Sequence, residues 1–171
     1  PHPDFTFGFT NTFTYRNFSL KVFLRGSVGG DVMNMAWGST PYRMIANGPR
    51  LWLNRWQSPE NPGDGKTPRV KLTNRGIIDF EQLDSTFIED GSFLNIQNIS
   101  LSYRVPNSLI KKIRLNNLVF TFTVNNAYMW TKYTGYNPEG RMNIGSTLAP
   151  GVDWGTYPLA RTYMFTIATN F

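Results

Sequence analysis

The chain has 171 residues, no cysteine and a formal net charge of +6, from 17 Lys and Arg against 11 Asp and Glu. These figures exclude disulfides and thiolate metal sites, and the basic residues are scattered rather than clustered, which argues against a nucleic-acid partner and for solvated faces beside anionic lipid. No run of about 18 apolar residues is present, so a helical membrane span is excluded, whereas a barrel span is compatible with the mean hydropathy of −0.33 because barrel strands alternate.

Aromatics make up 15% of the chain, and with abundant Thr and Asn they favour pleated strands. The opening segment 4–15 places Phe5, Phe7, Phe9, Asn11, Phe13 and Tyr15 on one parity and Asp4, Thr6, Gly8, Thr10, Thr12 and Thr14 on the other. Alternation that clean predicts a strand with different solvents on its two faces, one of them lipid. Arg16-Asn17 reads as a tight turn. The next strand, 18–30, sets Phe18, Leu20, Val22, Leu24 and Val28 against Ser19, Lys21, Arg25 and Ser27, with Phe23 intruding on the polar side.

Residues 31–92 read as a long loop holding one or two short helices and the breaker run Ser58-Pro59-Glu60-Asn61-Pro62-Gly63-Asp64-Gly65. A third strand, 93–105, carries Ile99, Leu101, Tyr103 and Val105 on one parity. Above Asn98 the apolar parity shifts to Leu94 and Ile96, which predicts a bulge or the membrane boundary. After a short turn at 106–113, a fourth strand, 114–130, shows Leu118, Phe120, Phe122, Val124, Tyr128 and Trp130 opposite Thr121, Thr123 and Asn125. A second loop, 131–156, leads to a last strand, 157–171, with Tyr163, Phe165, Ile167 and Phe171 on one face. Connections alternate short and long, as in barrels with short periplasmic turns and long extracellular loops. That pattern predicts an all-β, antiparallel transmembrane barrel segment of about five strands with its C-terminus periplasmic. The opening Pro1-His2-Pro3 shows no export signal, so any signal is expected upstream.

Several stretches resemble the C-terminal region of SusC-like TonB-dependent outer-membrane transporters of Bacteroidota. They are Phe87-Ile88-Glu89-Asp90-Gly91-Ser92-Phe93-Leu94, Asn125-Asn126-Ala127-Tyr128, Thr131-Lys132-Tyr133-Thr134-Gly135-Tyr136-Asn137-Pro138-Glu139 and Gly151-Val152-Asp153-Trp154-Gly155-Thr156-Tyr157-Pro158. Thr169 departs from the apolar residue many terminal strands carry there. The resemblance implies a 22-stranded barrel with a plug and a TonB box upstream, a SusD-like surface lipoprotein as lid, and import of oligosaccharides or peptides. On it, TonB acts through the absent N-terminal part, and outer-membrane lipid and the remaining strands and plug surround this segment. A structural subunit of a larger envelope complex and a soluble β-sandwich are the competing readings.

Loop aromatics Trp37, Trp56, Tyr133, Tyr136 and Trp154 are the candidate ligand or lid contacts, since aromatic faces stack on sugars or side chains. Tyr128, Trp130 and Tyr157 fit better in a membrane-interface belt. No catalytic, cofactor-binding or metal residue is assigned. No Ser/His/Asp set is possible beyond the single His2, and neighbours Glu89 and Asp90 point apart on an extended segment. Glu60, Asp64, Glu89, Asp90, Glu139 and Asp153 read as solvated turns and caps.

Overall fold

The computed structural model describes residues 2–35, 50–67, 69, 85–111, 115–139 and 151–170. Among them the strands are β1 (Phe5–Tyr15), β2 (Phe18–Val28), β3 (Asp31–Asn34), β4 (Ile88–Asp90), β5 (Phe93–Arg104), β6 (Asn117–Thr131), β7 (Val152–Asp153) and β8 (Thr162–Asn170), with a short α-helix α1 (Asn107–Ile110) and 3-10 helices at Arg50–Asn54 and Ser85–Phe87. No helix among the described residues is long and apolar enough to cross a membrane. The chain divides into two units. One comprises Pro3–Gly29, Ser92–Lys132 and Pro158–Phe171; the other comprises Pro1–His2, Gly30–Gly91 and Tyr133–Tyr157.

The first unit is an antiparallel sheet in the order β1-β2-β5-β6-β8. Its β1–β2 turn is the two-residue Arg16-Asn17 connection, with Tyr15 paired to Phe18. Arg16 takes φ 52°, the sign that the first central position of a type II′ hairpin requires, and its guanidinium lies 5.3 Å over the Tyr15 ring. Register carries the alternation of single strands across the whole sheet. Phe13 opposes Leu20, Leu20 opposes Leu101, Leu101 opposes Phe122 and Phe122 opposes Phe165, so one apolar row crosses all five strands. Diagonal ring pairs reinforce it, with Phe120–Phe165 at 6.1 Å and Phe122–Tyr163 at 6.4 Å.

The opposite face is polar and bonded to itself. Ser102 pairs with Thr121 and Ser100 with Thr123, each at 2.9 Å. Asn98 Nδ2 donates to Asn125 Oδ1 at 2.8 Å, and Asn125 Nδ2 donates to Thr162 Oγ1 at 3.2 Å. Phe23, the apolar intruder on this side, has a reason to be there: its ring covers Gly8, leaving only 3.2 Å to where a Cβ would stand. On the apolar face Phe7 lies over Gly26 so closely that any Cβ at Gly26 would overlap its ring. Each glycine is thus roofed by an aromatic from the neighbouring strand.

The parity shift in β5 is a bulge. Ile96 and Asn98 are successive partners of Leu24 and Phe23 on β2, so Gln97 is the extra residue. On the other side β6 sets Asn126 and Ala127 against Gln97, and Asn126 adopts φ 50°. The bulge puts Leu94 and Ile96 back on the face of Ile99 and Leu101, which is why both parities read as apolar.

Several expected boundaries are corrected. β2 stops at Val28 rather than residue 30, because Gly29 and Gly30 turn to φ 75° and 80°. β6 starts at Asn117 rather than residue 114, Leu115 N–H being engaged in a turn onto the Ile110 carbonyl. β8 begins at Thr162 rather than residue 157; Pro158 has no N–H to offer a ladder. The expected loops 31–92 and 131–156 are not loop alone. They contribute β3, β4 and β7, which form the second unit's sheet in the order β4-β3-β7, antiparallel on one side and parallel on the other. Strands of two to four residues carry too little alternation to read from sequence.

Candidate functional site

The second unit is centred on a polar cluster assembled from three distant segments. β3 supplies Asn34, β4 supplies Glu89, and the segment following β6 supplies Tyr133 and Thr134. Glu89 Oε2 accepts the Thr134 backbone N–H at 2.7 Å, while Oε1 accepts the Thr134 hydroxyl at 2.7 Å and Asn34 Nδ2 at 2.9 Å. A carboxylate reads both donors of one residue here and so fixes that residue's orientation. Asn34 is fully enclosed and its Oδ1 has no partner among the described residues. Such a group costs about 1–3 kcal/mol, set against the bond that the same side chain donates to Glu89.

Asp153, on β7, is the second centre. Its side chain is fully buried, which corrects the expectation of a solvated cap: it does cap, but inside the unit. Oδ1 accepts the N–H groups of Gly155 at 3.0 Å and Thr156 at 2.7 Å. Oδ2 accepts the Tyr133 hydroxyl at 2.6 Å. Burial drives the Tyr133 phenol pKa far upward, and the hydrogen bond and charge of Asp153 push the same way. The Tyr133 ring also packs against Gly135, leaving only 2.5 Å to where a Cβ would stand.

The aromatic candidates are sorted by this arrangement. Tyr133 is 5% exposed and engaged inside the unit, so it leaves the set of outward contacts. Tyr136 is 70% and Trp154 40% exposed, and each lies within two residues of a residue the cluster holds. Trp56 is half-buried, with the Arg69 guanidinium 5.9 Å over its ring. It borders a turn drawn tight by Asp64, which accepts Lys66 N–H, Thr67 N–H and the Thr67 hydroxyl. Those bonds, the one from Thr67 N–H foremost, lower the Asp64 pKa. Trp37 lies outside the described residues.

Sequence reasoning missed Asn34, Thr134 and the pairing of Glu89 with either. A local sign existed for Asp153 alone, since Asp followed two and three residues later by Gly and Thr is an Asx-turn pattern. Glu89 finds its partners 45 and 55 residues away, which no local pattern encodes. The segments around Glu89, Tyr133 and Asp153 are nevertheless three of those that carried the family resemblance.

No family model matches the chain. Among curated proteins it is similar to TonB-dependent receptor P3 of Formosa agariphila, 30% identical over 178 residues, covering 100% of this chain and 17% of that protein. It is also similar to TonB-dependent receptor SusC of Bacteroides thetaiotaomicron, at 25% identity with 100% of this chain and 15% of that protein covered. Among solved structures it matches the RagAB peptide transporter with TM-score 0.77 and the RagAB peptide importer in the open-open state with 0.74. Both matches are at 24% identity and cover 99% of this chain and 17% of the other. The chain therefore spans about a sixth of the relatives it matches, and those relatives are receptors and transporters rather than enzymes. With homology along its whole length and the same strand architecture, the chain is a β-barrel segment of a SusC-like TonB-dependent receptor, an outer-membrane protein.

Proposed function

We propose that this segment forms part of the wall and two extracellular loops of an active importer, which takes up oligosaccharides or peptides together with a SusD-like surface lipoprotein. The observation that carries the reading is the two-faced sheet. Phe5, Phe9, Phe13, Phe122, Phe165 and Ile167 lie exposed on one side, while the other is a hydrogen-bonded row of Ser, Thr and Asn. An exposed aromatic face of that extent suits lipid, and the polar face suits a water-filled or plugged lumen. β1 spans ten residue steps from Phe5 to Tyr15. At about 3.3 Å per step and a tilt of about 40°, that gives an apolar band roughly 25 Å tall, the height such barrels present to a membrane. Tyr128 and Trp130, in edge contact at 4.6 Å, stand at one end of the band and Tyr15 at the other, where interfacial belts form.

The ends of β2 and β6 and the start of β5 lie together at one edge of the sheet, with Ser27 opposite Phe93 and Phe93 opposite Thr131. We assign that edge to the cell exterior, and the Arg16-Asn17 turn with the end of β8 to the periplasm. Energy coupling through TonB then depends on the upstream part of the full-length protein. The test exploits the lack of cysteine in these 171 residues, with any cysteine elsewhere in the full-length protein first replaced by serine. Single cysteines at Lys66 and Tyr136 of the full-length protein are expected to react with an impermeant maleimide in intact cells, and one at Asn17 only after permeabilisation. Labelling at Asn17 alone in intact cells would invert the topology. Ligand uptake that persists in cells lacking TonB would refute active import.

A further inference from the structure

Two carboxylates in the second unit anchor the backbone close in sequence to Tyr136 and Trp154, the most exposed of its described candidate aromatics. Asp153 is fully enclosed while its neighbour Trp154 is exposed. By accepting the N–H groups of Gly155 and Thr156, Asp153 bends the chain directly after Trp154. Gly155 sits at φ 88° with open space around it, so glycine is there for backbone conformation alone. On the other side, Glu89 fixes Thr134 by its N–H and hydroxyl, two residues before Tyr136. Tyr133 connects the two halves: it adjoins Thr134, packs on Gly135 and donates its hydroxyl to Asp153. The two outward aromatics are therefore mounted on one hydrogen-bonded frame rather than on independent loops.

We propose that Glu89 and Asp153 are positioning residues that hold Tyr136 and Trp154 as a preset pair for the surface lipoprotein partner. The proposal rests on the lid-contact reading above. Its physical basis is entropic: aromatics already held in their bound arrangement lose less freedom on association. It also makes a specific statement about chemistry. Asn at 153 keeps an acceptor for the two N–H groups and turns an amide donor toward Tyr133. Gln at 89 keeps an acceptor for Thr134 N–H, and its amide donates to the currently unpartnered Oδ1 once the Asn34 amide turns over. Conservative amides therefore preserve the frame, and alanine destroys it.

The experiment measures the affinity of the purified full-length receptor, in nanodiscs, for its purified lipoprotein, alongside hydrogen exchange over 133–139 and 151–157. Glu89→Ala and Asp153→Ala are each expected to weaken binding about tenfold and to speed exchange in both segments. Glu89→Gln and Asp153→Asn are expected to stay within about twofold, and heat-modifiable mobility is expected to show the barrel folded in all four. Alanine variants that exchange faster yet bind like the wild type would overturn the positioning role. Amide variants as weak as alanine would overturn the frame chemistry. A Tyr136→Ala/Trp154→Ala double variant that binds like the wild type would refute the lid-contact reading itself, a failure that the exchange data keep distinct.

Discussion

Tyr133 shows how one residue changes meaning between sequence and structure. As a loop aromatic it suggests stacking on a ligand; in the fold it is a buried phenol 2.6 Å from a buried carboxylate. Its pKa is raised by burial first and by Asp153 second. The proton is held more tightly in the folded unit than in the open chain, where the ordinary value is 10.0. Its contribution to stability is thus full below about pH 10 and is lost as the pH rises further, because only the open chain ionises readily there. We expect hydrogen exchange over 133–139, corrected for intrinsic rate, to accelerate above pH 10, and Tyr133→Phe to remove that dependence. At neutral pH Tyr133→Phe leaves an enclosed Asp153 oxygen without this donor, so the local opening free energy should fall by about 1–3 kcal/mol, read from the same amides.

At the scale of elements, the bulge joining β5 and β6 decides which faces the side chains occupy. A one-residue slip reverses a strand's faces, and Gln97 restores them. The parity change from Ile99 to Ile96 made this much legible. The other half, the left-handed turn at Asn126, was not, since Asn126 read only as an interruption of the Leu118–Trp130 parity. Asn tolerates that conformation, and here its Nδ2 also donates to the Ala160 carbonyl at 3.0 Å. Asn126→Val should destabilise the full-length barrel by about 1–2 kcal/mol, the penalty of a β-branched residue in the left-handed region, and Asn126→Gly by clearly less. Folding titrations into lipid vesicles measure both. Equal losses would mean that the hydrogen bond to Ala160, not the backbone conformation, sets the cost.

Over the whole molecule, the two faces of the first sheet predict opposite responses to the same charge. Arg at Phe122 or Phe165 should cost about 2–4 kcal/mol where these positions lie near the membrane midplane, and Arg at Thr121 far less. Folding titration of the full-length protein checks this, and equal costs on the two faces would contradict the lipid assignment. Among the described residues β1 and β8 are the outermost strands of the sheet and do not pair with each other, so each leaves a ladder edge without a described partner. Open edges recruit further strands. The 171-residue segment expressed alone should therefore self-associate without detergent, and a soluble monomer by light scattering would defeat the barrel reading.

What the sequence determined by itself is the long strands and their two faces. Ten-residue alternation of Phe with Thr encodes both at every second position, and the Arg16-Asn17 turn is contiguous with the strands it joins. The parity shift above Asn98 left a bulge or the membrane boundary as its readings, and the register of β2 against β5 decides for the bulge. What only the tertiary structure decided is the frame in the second unit. Glu89, Asn34, Thr134, Tyr133 and Asp153 come from segments as far apart as Asn34 and Asp153, which pair across β3 and β7, and the strands that bring them together are too short to announce themselves. A carboxylate in a turn-rich stretch looks solvated until the chain that buries it is in place. Whether Asp153 or Glu89 faces water or a partner's N–H is a property of long-range contacts, and no local pattern of residue types contains it.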